Sequence, residues 1–145
     1  MISVLINAEG DWSVPESLLE EGLKRLLREE GYSDGEISLT FLGDSAIRAM
    51  NEEYLGKDQP TDVIAFSLHD AGDPPFGDVY VGYNQASRQA GGLGVPLEEE
   101  LLRLAIHGTL HVLGHTHPEG EGREESPMYR LQEHHLARAL SSTRD

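Results

Sequence analysis

The sequence predicts an α+β fold: a single domain, residues 1–145, with a mixed sheet of about four strands packed with about five helices, one of them a metal-binding helix followed by a glycine turn. Three observations lead there. Short stretches of alternating apolar residues and longer stretches of helical periodicity succeed one another in the order β-α-β-α-β-β-α-α-α. A chain of 145 residues, 38% of them hydrophobic, can bury one respectable core and is too short for two. No repeat, low-complexity tract or linker interrupts it.

Each element has its own warrant. "ISVLINAE" alternates like a half-buried strand. In "SVPESLLEEGLKRLLREEGY", Ser13 and Glu16 have capping-box spacing, Pro15 falls in the first turn, and Leu18, Leu19, Leu23, Leu26 and Leu27 share one helical face, with Gly31 as the stop. "EISLTFLG" is a strand with Ile37, Leu39 and Phe41 on one side. Asp44 is placed to cap a helix that Gly56 ends. "TDVIAFSL" is apolar enough to be covered on both faces, and "DVYVGY" follows a Pro- and Gly-rich loop as the fourth strand. Asn84 is placed to cap a short helix, "QASRQAG". Residues 96–113 form the strongest helix, with Pro96 at its start, Glu98, Glu99 and Glu100 at its positive end, and Gly114 just past it. The three Glu read as a solvated helix start. "PEGEGREES" reads as an acidic loop, and residues 125–140 as a final amphipathic helix.

Composition narrows the function. There is no cysteine, so no disulfide framework exists and a transition-metal site must be built from His, Asp or Glu. The net charge of −15 opposes a surface that attracts nucleic acid as a whole; an RNA partner requires local cations, and those available are nine Arg and two Lys. The chain has no bilayer-length apolar run and does not open with a basic segment leading into an apolar stretch and cleavage site, so the expectation is a soluble, cytoplasmic protein without a membrane partner.

"HGTLHVLGHTH", residues 107–117, holds four of the seven histidines. On a helix, His107 and His111 project from the same face one turn apart, where two ring nitrogens converge on one cation. Gly114 can adopt the left-handed conformation that turns the chain back and returns His117 as third ligand. His115 would continue the helical line instead, and the glycine favours His117. Three neutral imidazoles suit Zn2+, one per chain, and leave a fourth position for water, as catalytic sites do. Zinc so held lowers the pKa of its water and polarises a phosphoryl or carbonyl oxygen. A zincin-type protease would need Glu directly after the first histidine, and that residue is Gly108. His69, His134 and His135 have no partner at ligand spacing and read as surface or packing residues.

This motif resembles the H-G-x-L-H-L-x-G-Y-D-H signature of the YbeY family of bacterial zinc-dependent endoribonucleases. "NEEYLGKDQPTDVIAFSL", residues 51–68, resembles the family's N-x-x-Y-R-x-K-D-x-P-T-D-V-L-S-F segment. Gly77-Asp78 match its "GD", and Met128 with Glu133 its closing M-x-x-x-x-E, so the resemblance runs from about Glu36 to Leu140. It implies an α+β fold in which His107, His111 and His117 hold zinc at the end of a cleft and carry catalysis through the metal-activated water. It also implies a single-stranded RNA substrate, the 3′ end of small-subunit ribosomal RNA, with roles in ribosomal RNA maturation and ribosome quality control on ribosomal particles; DNA is not an expected partner. Lys57, Thr61 and Asp62 are the candidate substrate contacts, although Pro60, Thr61 and Asp62 serve equally well as a turn into the strand.

Two positions depart from the family pattern. Its Tyr-Arg pair is Tyr54-Leu55 here, removing a cation expected to face phosphate; Lys57, Arg88, Arg103 and Arg130 are the candidate replacements. Its Tyr-Asp before the last ligand is His115-Thr116, replacing a carboxylate that could orient a ligand. Two alternative functions follow: a ribosome-associated binding factor whose zinc is structural, and a metalloprotease-like hydrolase, which Gly108 disfavours.

Overall fold

The computed structural model describes residues 1–120 and 122–142. Strand β1 (Ile2–Ala8) leads into helix α1 (Glu16–Glu29), β2 (Gly35–Leu42) into α2 (Asp44–Leu55), and β3 (Val63–Ser67) into β4 (Phe76–Gly82). Three helices follow: α3 (Tyr83–Leu93), α4 (Leu97–Val112) and α5 (Pro127–Ser142), the last preceded by a 3₁₀ turn over Arg123–Glu125. The sheet order is β1-β2-β4-β3, with β1, β2 and β4 parallel and β3 antiparallel to β4. The α+β expectation of four strands and five helices in one domain is met.

One sheet face carries Ile37, Leu39, Phe41, Val79 and Val81, all buried with Leu19, Leu23, Leu26 and Leu27 of α1 and with Leu101, Leu102, Ile106 and Leu110 of α4. The other carries a smaller cluster in which Leu42, Ile47 and Ile64 are buried and Met50, Phe66 and Tyr80 pack around them. Strand β3 meets both clusters, but only Ile64 is buried, because β3 is the sheet edge rather than an interior strand. No helix among the described residues is long and apolar enough to cross a membrane.

Local details depart from the expected caps. Helix α1 starts at Glu16 behind Pro15 with no side-chain cap, so Ser13 and Glu16 do not form a capping box. Asp44 lies inside the first turn of α2, where its carboxylate takes Arg88, while Asn84 Oδ1 accepts the Asp44 N–H at 3.0 Å. Asn84 thus caps a neighbouring helix instead of its own. Glu100 is buried against Arg103, unlike a solvated helix start.

Helix α4 lies unusually close to the sheet. A Cβ on Gly108 would fall 2.4 Å from Val79 Cγ1 and 3.0 Å from Val63 Cγ2. A Cβ on Gly77 would fall 2.6 Å from Val112 Cγ1. The two glycines therefore set the depth at which α4 seats on β3 and β4, and with it the position of the histidines.

Candidate metal centre and cleft

His107 and His111 sit in the last turns of α4, and their Nε2 atoms approach to 3.1 Å. Gly114, at φ +98°, reverses the chain after the helix, and His117 comes back so that its ring centroid lies 5.1 Å from those of both His107 and His111. All three residues proposed as ligands from the sequence are brought together, with their ligand nitrogens within 4.8 Å of one another. His115 turns the other way, its Nε2 3.3 Å from Glu30 Oε1.

Each ring is held through its other nitrogen. Gln132 Oε1 lies 2.6 Å from His107 Nδ1, the His115 carbonyl 3.0 Å from His111 Nδ1, and the Pro118 carbonyl 3.0 Å from His117 Nδ1. The Gln132 amide nitrogen donates to Glu133 Oε2 at 3.1 Å, which orients its oxygen toward His107. These acceptors make every Nδ1 the protonated nitrogen and leave every Nε2 lone pair for the shared centre. Two lone pairs 3.1 Å apart repel unless a cation lies between them, so the donor set fits a divalent metal.

Burial favours the neutral form of the two candidate ligands on α4. Desolvation lowers His107 to about 4 despite the Gln132 hydrogen bond, and desolvation followed by the charge of His117 lowers His111. A ligand imidazole already deprotonated has no proton to lose on binding.

His107 also lines a cleft of about 950 Å³ between α3, α4, α5 and the 3₁₀ turn over Arg123–Glu125. Asp62, Arg103, Arg123, Tyr129 and Gln132 contribute to its walls. The Tyr129 ring lies 5.5 Å, centroid to centroid, from both His107 and His117, with the Arg123 guanidinium carbon 5.4 Å from its own centroid. Burial raises the Tyr129 hydroxyl above its ordinary range and outweighs the opposing pull of Arg123.

The comparisons with known proteins point the same way as this geometry. The profile of the family described as Endoribonuclease YbeY matches residues 6–140. The chain belongs to the YbeY endoribonuclease family. It is an endoribonuclease, a hydrolase of phosphodiester bonds. Similar YbeY endoribonucleases occur in Persephonella marina (38% identity, covering 92% of this chain and 90% of that protein) and Pelotomaculum thermopropionicum (37%, covering 95% and 96%). A Thermotoga maritima protein whose structure was determined in solution superposes with a TM-score of 0.66 at 28% identity, covering 97% of this chain and 91% of that one.

Against the YbeY pattern, the missing arginine becomes interpretable. Leu55 is exposed at the end of α2. Arg88 is held by Asp44 at 2.9 Å and by Gln85, Arg130 donates to the Glu125 carbonyl at 2.8 Å, and Arg103 is bound by Glu99, Glu100 and Glu133. Lys57 is exposed between α2 and β3. The cation in the cleft that sequence reading overlooks is Arg123, whose buried Nε has no hydrogen-bond partner among the described residues. Its signal was present, because it is the sole cation in "PEGEGREES". Gln132 and Tyr129 were also overlooked, lying where only the tertiary fold brings α5 against α4.

Of the three candidate substrate contacts, Asp62 lines the cleft, its Oδ2 accepting Gln89 Nε2 at 3.2 Å while its carbonyl accepts the Gly82 N–H at 2.8 Å. Both the turn role and an exposure to the cleft are therefore present in one residue. The His115-Thr116 departure leaves the His111 anchor intact, since that anchor is a main-chain carbonyl.

Proposed function

We propose that this chain is a zinc-dependent, single-strand-specific endoribonuclease that matures the 3′ end of small-subunit ribosomal RNA and serves ribosome quality control, acting in the cytoplasm on ribosomal particles, with residues 1–145 working as one metal-dependent hydrolase domain. The observation that carries it is the convergence of three imidazoles, each held through its Nδ1, with His107 also lining an open cleft.

His107, His111 and His117 would hold the metal; three imidazoles are a zinc donor set, and when bound the ion supplies Lewis-acid polarisation of a phosphodiester oxygen and activation of water. The chain's own groups do the rest. Arg123 takes the place of the absent family arginine and binds the substrate phosphate, its planar guanidinium matching phosphate geometry. Tyr129 stacks beside it and shapes the site for an unpaired strand. Asp62, oriented by Gln89, faces the cleft as the proton acceptor. Thr61 and Lys57 precede it on the same loop and extend the RNA contact.

The test is zinc content by elemental analysis together with cleavage of labelled single-stranded RNA, duplex RNA and a small-subunit ribosomal RNA precursor, for wild type and His117→Ala. Near-stoichiometric zinc with single-strand cleavage, both reduced in the variant, is expected. Zinc without cleavage would overturn the reading in favour of a binding factor with a structural metal.

A further inference from the structure

Outside the triad, the described residues contain a second convergence of histidines with a carboxylate, where the end of α1 meets α5. Glu29 is the last residue of α1, and its carboxylate is divided. Oε1 receives Arg138, at 2.8 Å from Nε and 2.7 Å from Nη2, while Oε2 faces His135 Nδ1 at 3.3 Å and His134 Nε2 at 3.9 Å. Consecutive helical residues ordinarily diverge, yet these two rings converge on Glu29, with centroids 5.2 Å apart.

His135 is the informative member. Its side chain is 2% exposed, and its Nε2 lies 3.1 Å from Glu30 Oε2. That carboxylate accepts the Nε2–H and leaves Nδ1 as a lone pair, buried, without a hydrogen-bond partner among the described residues, and directed at the anionic Oε2 of Glu29. A carboxylate behind one imidazole nitrogen and an open lone pair on the other is the arrangement that orients metal-binding histidines. Although its partial burial favours the neutral form, Glu29 is held below the usual carboxylate range by the hydrogen bond and the charge of Arg138. The negative end of the α1 macrodipole adds attraction for a cation at this point. Other charged or titratable groups around the site are Glu30, Arg138 and His115, the last bound to Glu30 Oε1 at 3.3 Å. His134 is 58% exposed, which gives an ion a route in from solvent.

We propose that Glu29, His134 and His135 form a second divalent-metal site, separate from the triad, that fastens the end of α1 to α5. Two imidazole nitrogens and one carboxylate oxygen are a zinc donor set, with the fourth position left to water. Glu30 is the positioning residue that keeps His135 Nδ1 directed at the ion.

The experiment titrates the untagged, chelator-treated chain with Zn2+ by calorimetry and follows melting temperature in parallel. Wild type takes up two equivalents and His134→Ala one; His134 is exposed enough for this substitution to leave the fold intact. His111→Ala, in which the triad is broken, keeps one equivalent and a zinc-dependent rise in melting temperature, and the double variant His111→Ala/His134→Ala loses both. Zinc moves the ¹⁵N resonance of His135 Nδ1 while Nε2 remains protonated. Zinc uptake by wild type that His134→Ala leaves undiminished, loss of all uptake in His111→Ala, or an unmoved His135 Nδ1 would each overturn the proposal and leave His135 as a residue that only ties α5 to the end of α1.

Discussion

Gln132 Oε1 accepts a hydrogen bond from His107 Nδ1 at 2.6 Å, so a buried amide on α5 sets the tautomer and rotation of the first metal-ligand candidate on α4. The contact joins the two helices at the one point where orientation matters for the site. Gln132→Ala should lower zinc affinity at the triad by roughly 10- to 100-fold while leaving the fold assembled, and Gln132→Glu, which keeps an acceptor in place, should recover most of that loss. Competition against a chromophoric chelator reads the affinity; unchanged zinc affinity in Gln132→Ala would remove Gln132 from the site.

Gly108→Ala tests the seating of α4. In an exposed helix interior the added methyl would stabilise by about 0.5–1 kcal/mol. Here it would sit 2.4 Å from Val79 Cγ1, and overpacking of that kind costs about 1–3 kcal/mol. Overpacking is the larger effect, so the melting temperature should fall, and Val79→Ala in the same chain should restore part of it by vacating the clashing volume. A more stable Gly108→Ala single variant would contradict the close approach.

The same helix shows why some of the site could be read in the sequence and some could not. His107, His111, Gly114 and His117 lie within one short segment, so helical geometry and one left-handed turn suffice to bring them together. Gln132, Tyr129 and Arg123 approach through packing between elements distant in sequence, and no local period encodes that approach. Asn84 illustrates the same limit: a good capping residue was evident, but which helix it caps depends on α2 and α3 meeting. The apolar pattern of β3 was legible as a strand, whereas its edge position follows from β4 inserting between it and β2. Glu29 and His135 are 106 positions apart and have no spacing that could announce them.

The metal-free protein should lose stability as the solution is acidified through the histidine range. Burial holds His107 at about 4, below its ordinary 6.5, and lowers His111 in the same direction. Between these values the unfolded chain binds a proton that the native chain refuses, so native stability is full above about pH 6.5 and falls until about pH 4, below which this contribution is flat. For His107 alone the loss is about 3 kcal/mol. Urea denaturation of the chelator-treated chain between pH 7 and 4 measures it, and His107→Gln should show a shallower slope. A pH-independent midpoint would contradict the buried, neutral imidazole.

Arg123→Ala should weaken RNA binding because it removes a cation that lines the cleft. Losing one phosphate contact reduces the slope of log affinity against log salt by about 0.7 for a single strand. Zinc content should stay at the wild-type level, since Arg123 is not among the converging ligand groups. Lys at this position should recover the salt slope but little of the affinity, because a point charge replaces a planar fork. An unaltered salt slope in Arg123→Ala would return the search for the phosphate partner to Lys57.

Asp62→Asn separates proton transfer from metal binding and from folding. The carbonyl of residue 62 accepts the Gly82 N–H, and this main-chain bond survives the substitution, so the turn into β3 should persist. The side chain keeps an oxygen for Gln89 but loses the charge and the ability to take a proton. If Asp62 is the proton acceptor, kcat should fall by roughly 10²- to 10⁴-fold with KM and zinc content little changed. If Asp62 only shapes the turn, kcat should be nearly normal and the melting temperature should carry the whole effect. The two outcomes differ in kind as well as size, because a purely structural role cannot lower kcat while leaving the melting temperature unchanged.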